Sequence, residues 1–153
     1  LYNLDSKHDY LVEAVKSTGI SFRINPEECF NEDKTFFGWY WAAKKEMVIC
    51  QEGKNQVGVV TSFSAEDTDT IRHEAQHLIQ DCMDGKLDGE LQAVYDRPIA
   101  LGKEVLGSDG IEGVRDAYSE ASNHVQVMEI EAFSVAQMND PMDQAADIKN
   151  YCF

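Results

Sequence analysis

Apolar residues recur every three or four positions along much of the chain, which is the spacing of helices with one buried face. Leu11, Ala14 and Val15 follow this spacing and predict a short helix over residues 8–18, with Gly19 as its stop. The same pattern predicts helices over residues 65–84, 111–138 and 142–151, and one or two helices over residues 89–106 with an interruption at Arg97-Pro98.

Shorter segments have the alternating or aromatic and β-branched character of strands. Residues 20–24 alternate and end at Asn25-Pro26, and residues 36–41 and 46–51 predict a β-hairpin. Residues 56–63 predict a further extended segment. The order of these elements predicts an α+β fold, with a small antiparallel sheet first and a helical part after it.

The helix predicted over residues 65–84 has clear boundary signals. Ser64-Ala65-Glu66-Asp67 reads as a capping box, and the acidic first turn suits the positive end of the helix dipole. Gly85 is a plausible stop. An apolar stripe supports the helix and consists of Ile71, Ala75, Leu78, Ile79 and Cys82.

Two histidines lie four residues apart within this helix, in the sequence His73-Glu74-Ala75-Gln76-His77. Residues at this spacing stand one turn apart on the same face, so that both imidazoles can bind one Zn²⁺. Glu74 then lies beside the metal without being a ligand, where it can act as a general base. The alternative is a helix whose histidines are ordinary polar side chains.

The composition excludes some classes of partner. The chain has 13 Lys and Arg against 28 Asp and Glu, and its formal charge of −15 argues against nucleic acid or an anionic membrane. No segment approaches the roughly 18 apolar residues of a membrane span. With 153 residues and 43% hydrophobic content, residues 1–153 are expected to form a single domain with its own core.

Four widely spaced cysteines contain no Cys-x-x-Cys pair, which argues against a zinc knuckle or a thioredoxin-type site. Of the three possible pairings, we expect Cys29–Cys50, between neighbouring strands or their loops, and Cys82–Cys152, which ties the chain end to the motif helix. The alternative is four reduced, buried thiols. Since the chain begins at Leu1 and not Met, a removed signal segment would fit, and a secreted or periplasmic location is expected.

A catalytic zinc usually has three protein ligands and one open position, so the two histidines need a third partner. Gln80 and Met83 stand where metzincins have glycine and histidine, which excludes that class. Peptide deformylases add a cysteine from a Glu-Gly-Cys segment, and Cys50-Gln51-Glu52-Gly53 has the wrong order. A carboxylate from a later helix remains, and the segment Glu129-Ile130-Glu131 offers two.

Glu129 and Glu131 lie on opposite flanks of the apolar stripe predicted for residues 111–138, so only one of them can face the metal. Spacing alone does not choose between them. Glu131 shares its flank with Glu120 and His124, which makes that flank more polar, whereas the flank of Glu129 carries Phe133. Glu131 is therefore preferred as the third ligand, and Glu129 is its competitor.

With these residues, the chain resembles the gluzincin group of zincin metallopeptidases, in which a glutamate on a second helix completes a His₂Glu site. The segment from Arg72 to Cys82, with Glu131-Ala132-Phe133 downstream, is similar more narrowly to small uncharacterised exported proteins of cyanobacteria and their phages. The resemblance implies a zincin-like fold, with His73, His77 and Glu131 as zinc ligands and Glu74 as catalytic base. Thermolysin-like members carry an aspartate four residues after the third ligand, where this chain has Val135.

The implied reaction is hydrolysis of a peptide or protein substrate by a zinc-activated water, with Glu74 moving the proton. A further donor usually stabilises the oxyanion in such reactions, and Tyr95, Tyr118 and His124 are candidates. His124 is preferred as a catalytic residue because it shares the flank of Glu131, whereas Tyr118 lies on the apolar stripe. The aromatic segment Trp39-Tyr40-Trp41 lines a cleft beside an edge strand in one interpretation and belongs to the core in the other.

Two other functions stay open at this point. One is a non-catalytic binding module on a zincin scaffold that keeps a metal for stability, and the other is a structural protein whose motif binds nothing. The intact Glu74 favours the peptidase over the binding module, since a purely structural metal site has no use for a carboxylate at that position.

Overall fold

A computed structural model of the protein describes residues 3–31, 37–138 and 140–153. The fold is α+β, with six helices and three strands in the described part of the chain. The elements in order are α1 (Ser6–Ser17), β1 (Ser21–Ile24), a 3₁₀ turn (Glu27–Phe30), β2 (Gly38–Trp41), a second 3₁₀ turn (Ala42–Lys44), β3 (Glu46–Ile49), α2 (Ala65–Cys82), α3 (Pro98–Val105), α4 (Gly107–Ala117), α5 (Asn123–Met138) and α6 (Pro141–Tyr151).

The three strands form one mixed sheet in the order β1-β3-β2. The predicted hairpin is confirmed, because β2 and β3 are antiparallel and Trp39 pairs with Val48. The expected all-antiparallel sheet is wrong, since β1 runs parallel to β3 with Ser21 opposite Glu46. The chain leaves β1, returns at the opposite edge as β2 and places β3 in the middle, so β2 is an edge strand. Phe36, which belonged to the predicted hairpin, lies outside the described residues.

The main core lies between the sheet and the helices α1, α2 and α6. All four residues of β3 are buried, as a central strand requires. The fully buried aliphatic side chains at the centre are Leu11, Val12, Val15, Ile49, Ile71, Leu78, Ile79 and Ile148. The side of α2 that faces this core is the apolar stripe that the sequence predicted.

The helix predicted over residues 111–138 is divided into α4 and α5. The interruption lies at residues 118–122, where the Gln126 side chain donates to the backbone oxygen of Tyr118 at 2.9 Å and the Ser122 hydroxyl accepts from Val125 N at 3.2 Å. These side-chain bonds satisfy backbone groups that a continuous helix would pair within itself. The break changes the direction of the chain, and α5 packs against both α2 and α3.

Two other predicted segments differ in the described chain. Residues 56–59 form a turn, in which Val59 N donates to the Gln56 oxygen at 3.1 Å, and no strand forms over residues 56–63. The side chains of Asn25 and Gln51 occupy backbone groups there: Asn25 donates to the Val59 oxygen and Gln51 to the Thr61 oxygen, each at 2.9 Å. Residues 83–97 form a loop, so that only Pro98–Val105 of the helical region predicted over residues 89–106 is helical.

Both predicted disulfides are confirmed. Cys29–Cys50 joins the first 3₁₀ turn to the end of β3, and Cys82–Cys152 joins the last residue of α2 to the residue after α6. Within the described residues, no helix combines the length and the apolar character that crossing a bilayer requires.

Candidate metal centre

Helix α2 begins where its capping signals predict. The Ser64 hydroxyl accepts from Asp67 N at 3.1 Å, and the Asp67 carboxylate accepts from Ser64 N at 2.9 Å, which completes the predicted capping box. From this fixed start, His73 and His77 fall on one face, and their ring centroids lie 4.9 Å apart at an interplanar angle of 84°. Both imidazoles are buried.

Glu129 on α5 faces both histidines. Its two carboxylate oxygens lie 2.9 Å from His73 Nε2 and 3.0 Å from His77 Nε2. One ligand atom from each of the three residues lies within 4.8 Å of the others. Two imidazole nitrogens and a carboxylate are the donor set that zinc prefers, so these residues form a candidate metal centre.

The prediction that Glu131 faces the two histidines is wrong. Glu131 is fully buried, and it accepts from Gln76 Nε2 and Gln80 Nε2 at 3.1 Å each. With about 3.6 residues per turn, these two glutamines share one face of α2 with His73 and His77, so both glutamates contact the same face of the helix through different residues. The preference for Glu131 rested on a more polar flank, whereas α5 packs against both α2 and α3 and carries polar groups on both flanks.

Hydrogen bonding fixes which nitrogen of His77 is available to a metal. Gln80 Nε2 donates to Met128 O at 3.0 Å and to Glu131 at 3.1 Å, so Gln80 Oε1 faces His77 Nδ1 at 2.8 Å. An amide oxygen only accepts, so Nδ1 of His77 carries a proton. Nε2 of the neutral ring is then unprotonated, which is the state that a metal requires, and the site fits zinc in this respect.

His73 is held differently. Its Nδ1 is buried and has no hydrogen-bond partner among the described residues. The ring of Phe133, four residues after Glu129, lies against it with centroids 4.3 Å apart. The position four residues after the third ligand, where thermolysin-like proteins carry an aspartate, is Phe133 when counted from Glu129 and Val135 when counted from Glu131, and neither side chain has a carboxylate.

The charges of the centre depend on one another. Burial raises the pKa of Glu129, but hydrogen bonds from His73 and His77 outweigh it and hold that pKa well below its usual range. Burial likewise lowers the pKa of His77, yet the hydrogen bond and charge of Glu129 raise it to about 9. In the metal-free centre, His77 is therefore protonated, and its positive charge pairs with Glu129 as a bound cation would.

Glu74 lies on the wall of a cavity that the centre shares. The cavity has a volume of about 440 Å³, and its wall includes His73, Glu74, His77, Glu129 and the whole of β2. A second cavity, also of about 440 Å³, contains Glu74 and His73 again and continues past Phe37 and Phe133. Burial raises the pKa of the Glu74 carboxyl, against the opposing charges of the two histidines. The candidate base therefore borders on both cavities.

Tyr118 lies in both of these cavities, next to Glu129. Burial, followed by the charge of Glu129 and a hydrogen bond to it, raises the pKa of Tyr118, so the phenol is neutral and can donate. A single helix over residues 111–138 would place Tyr118 on the apolar stripe, as a packing residue. The break after Ala117 turns the side chain to the site, and the sequence contains no strong signal for that break.

The catalytic position expected for His124 is wrong. Its Nε2 lies 2.7 Å from the Leu91 oxygen, and it lines a separate cavity that contains Glu129 but not Glu74. His124 is the second residue of α5, so its side chain meets the loop of residues 83–97. Tyr95, the other candidate, donates its backbone N–H to Glu131 at 3.1 Å.

Comparison with known proteins assigns the chain to a family. The model of one family, described as a domain of unknown function (DUF8637), matches residues 1–153. The chain belongs to the DUF8637 family. Neither the curated proteins nor the solved structures contain a match.

Asp81 connects the edge strand to the loop beside the site. Its carboxylate accepts from the Tyr40 hydroxyl at 2.6 Å and from the backbone N–H groups of Asp88 and Gly89 at 3.2 and 2.9 Å. Asp81, Asp84 and Asp88 also bring three carboxylates together, but the first is satisfied by these donors. The network fixes β2 and the loop of residues 83–97 against α2.

Proposed function

We propose that this protein is a zinc-dependent peptidase of the zincin type. The convergence of His73, His77 and Glu129 carries the proposal. It joins the two histidines of the His-Glu-x-x-His motif to a carboxylate that lies 52 residues after His77 in the sequence. The centre borders on a cavity instead of being enclosed, as is typical of catalytic zinc sites. The support for zinc over other cations is the His₂Glu donor set.

The ligands assigned are Nε2 of His73, Nε2 of His77 and the carboxylate of Glu129. When bound there, zinc would polarise the scissile carbonyl and lower the pKa of a water towards about 7. The chain supplies the proton transfer: Glu74 takes the proton of the attacking water and gives it to the leaving nitrogen. Its place between the two histidines and its position in the cavity wall support this role.

Tyr118 is assigned as the donor that stabilises the oxyanion. Its hydroxyl lies in the same two cavities as Glu74 and interacts with Glu129. A neutral phenol can donate to a developing negative charge without transferring its own proton. Tyr118 replaces His124 in the proposed mechanism, because the cavity of His124 does not include Glu74.

The edge strand β2 is the proposed docking site for an extended peptide. It pairs with β3 on one side and lines the cavity that contains the centre. Gly38 allows the close approach of β2 to α2, since a Cβ there would lie 2.8 Å from the Thr70 side chain and 2.6 Å from Val48 O. Because a second cavity adjoins the one that contains the centre and shares Glu74 with it, we expect cleavage within chains and not only at chain ends.

A secreted or periplasmic location is part of the proposal. Two disulfides use all four cysteines, and disulfides persist in oxidising compartments. The acidic character of the protein adds solubility there and leaves peptides, and not nucleic acid, as the expected substrates.

The test compares wild type with Glu74→Gln, both loaded with zinc, on peptides acetylated at the N-terminus and amidated at the C-terminus. Wild type is expected to cleave them, and Glu74→Gln to bind zinc equally well and to lose about 10²- to 10⁴-fold in turnover. Glu112→Gln, an exposed substitution on α4, is the matched control and should match wild type. Zinc binding without hydrolysis by wild type would favour the non-catalytic binding module, and equal turnover in Glu74→Gln would remove the role of Glu74.

A further inference from the structure

We propose that Glu131 and Gln80 are positioning residues that hold His77 in the tautomer that binds a metal through Nε2. The inference rests on the proposed function, since it concerns a ligand of the proposed zinc site. It assigns a role to a fully buried carboxylate whose hydrogen bonds, within the described part of the chain, go to Gln76, Gln80, Val94 and Tyr95.

Glu131 has the environment of a fixed acceptor. Four N–H groups point at its two oxygens: the side-chain amides of Gln76 and Gln80, both at 3.1 Å, and the backbone N–H groups of Val94 and Tyr95, at 3.0 and 3.1 Å. A buried carboxylate is tolerated when its lone pairs are used in this way. Because every neighbour donates, Glu131 can only accept.

This acceptor determines the orientation of Gln80. The NH₂ group of Gln80 faces two acceptors, Glu131 Oε1 and Met128 O, and neither can donate in return. A rotated Gln80 amide would place its oxygen against both of them. The observed orientation is therefore the favourable one, and it leaves Oε1 for His77 Nδ1 at 2.8 Å.

The orientation of Gln80 affects the metal centre through the imidazole ring of His77. With Nδ1–H donated to Gln80, a neutral His77 has its lone pair on Nε2, which lies 3.0 Å from Glu129 and faces the centre. Glu131 thus acts on the ligand through Gln80, which lies one turn after His77 on the same face of α2. His73 has no such support, because its Nδ1 has no partner among the described residues and packs beside Phe133. Among the described residues, His77 is therefore the histidine ligand whose orientation is held by a hydrogen bond at Nδ1.

Gln76 provides a matched control. Gln76 and Gln80 are both fully buried on α2 and both donate to Glu131 Oε1 at 3.1 Å. Only Gln80 accepts from His77. A carboxylate that merely fastens α5 and the loop of residues 83–97 to α2 would make the two glutamines equivalent, whereas a positioning role makes them different.

The experiment measures zinc affinity by competition with a chelator for wild type, Gln80→Leu, Gln76→Leu and Glu131→Gln. Loss of the support of a ligand typically weakens metal binding about 10- to 100-fold. We expect that loss in Gln80→Leu and Glu131→Gln, and a change below about twofold in Gln76→Leu. Equal affinities in the two leucine variants would overturn the proposal.

A measurement on wild type covers the case in which Gln80→Leu fails to fold. Long-range ¹H–¹⁵N correlation of the zinc-loaded protein should show His77 as one tautomer, protonated at Nδ1 and bound through Nε2. Coordination through Nδ1, or a mixture of tautomers, would contradict the role of Gln80. If zinc binds with His77 in this tautomer but no peptide is hydrolysed, the proposed peptidase function is wrong and the positioning role still holds. Failure of wild type to bind zinc would overturn both.

Discussion

Two glutamates that are two residues apart on α5 have different environments. Glu129 faces two imidazole nitrogens and a cavity, whereas Glu131 faces four N–H groups and no solvent. A carboxylate is favourable in both environments, but only Glu129 has neighbours that can bind the same cation. At the scale of single residues, the chemistry of the site therefore follows from which groups donate and which accept.

The assignment of Tyr118 gives a prediction for a single hydroxyl. Tyr118→Phe removes the donor and keeps the ring, but it also removes the hydrogen bond to the ligand Glu129, so both proteins are compared at saturating zinc. Turnover of a blocked peptide should fall by about 10²- to 10³-fold, the usual effect of removing one oxyanion donor. Steady-state kinetics with metal analysis of the same samples provide the measurement. Unchanged turnover would return Tyr118 to a packing role.

The coupled charges of the metal-free centre predict how its stability depends on pH. The pKa of His77 is raised to about 9 in the folded state, above the value of about 6.5 expected when the chain is unfolded. This ion pair therefore stabilises the metal-free fold below about pH 6.5 and is lost as the pH rises through 9. Urea unfolding from pH 6 to pH 10 measures it. Glu129→Gln, also metal-free, should show a smaller decline, and equal declines would contradict the pairing.

At the scale of elements, the sequence predicted what depends on local signals. The capping box places the start of α2, and with it His73 and His77, because a cap and a four-residue spacing act within one helix. The helix break at residues 118–122 depends on how α5 packs between α2 and α3, and so does the identity of Glu129 as the third ligand. A single-sequence pattern does not contain that packing, so the third ligand and Tyr118 could not be derived from it.

The approach of β2 to α2 gives a prediction for a backbone contact. Gly38→Ala would place a methyl group 2.6 Å from Val48 O and 2.8 Å from Thr70 Cγ2, so the edge strand has to move. We expect the free energy of unfolding to fall by about 1–3 kcal/mol. Gly113→Ala on α4 is the control, because its methyl group meets nothing within 4 Å among the described residues and should stabilise the helix by about 0.5–1 kcal/mol. Equal effects in the two variants would contradict this contact.

At the scale of the whole molecule, the two disulfides close loops of different size. Cys29–Cys50 spans 21 residues and Cys82–Cys152 spans 70, and the second fixes α6 to the end of the motif helix. The chain-entropy account gives the longer loop about 1 kcal/mol more stabilisation. Replacing Cys82 and Cys152 by Ser should therefore lower the free energy of unfolding more than replacing Cys29 and Cys50. Denaturant unfolding of both double variants tests this order, and the reverse order would show that local packing at Cys29–Cys50 dominates.

Crystals of the zinc-loaded protein, measured on both sides of the zinc absorption edge, show directly whether these three residues bind zinc. We expect one anomalous peak within about 2.0–2.2 Å of His73 Nε2, His77 Nε2 and a Glu129 oxygen, on the side that faces Glu74 and Tyr118. Glu131 should lie outside the coordination shell, with Gln80 between it and His77. A peak at Asp81, Asp84 and Asp88 instead, or no peak between the two histidines, would contradict the account.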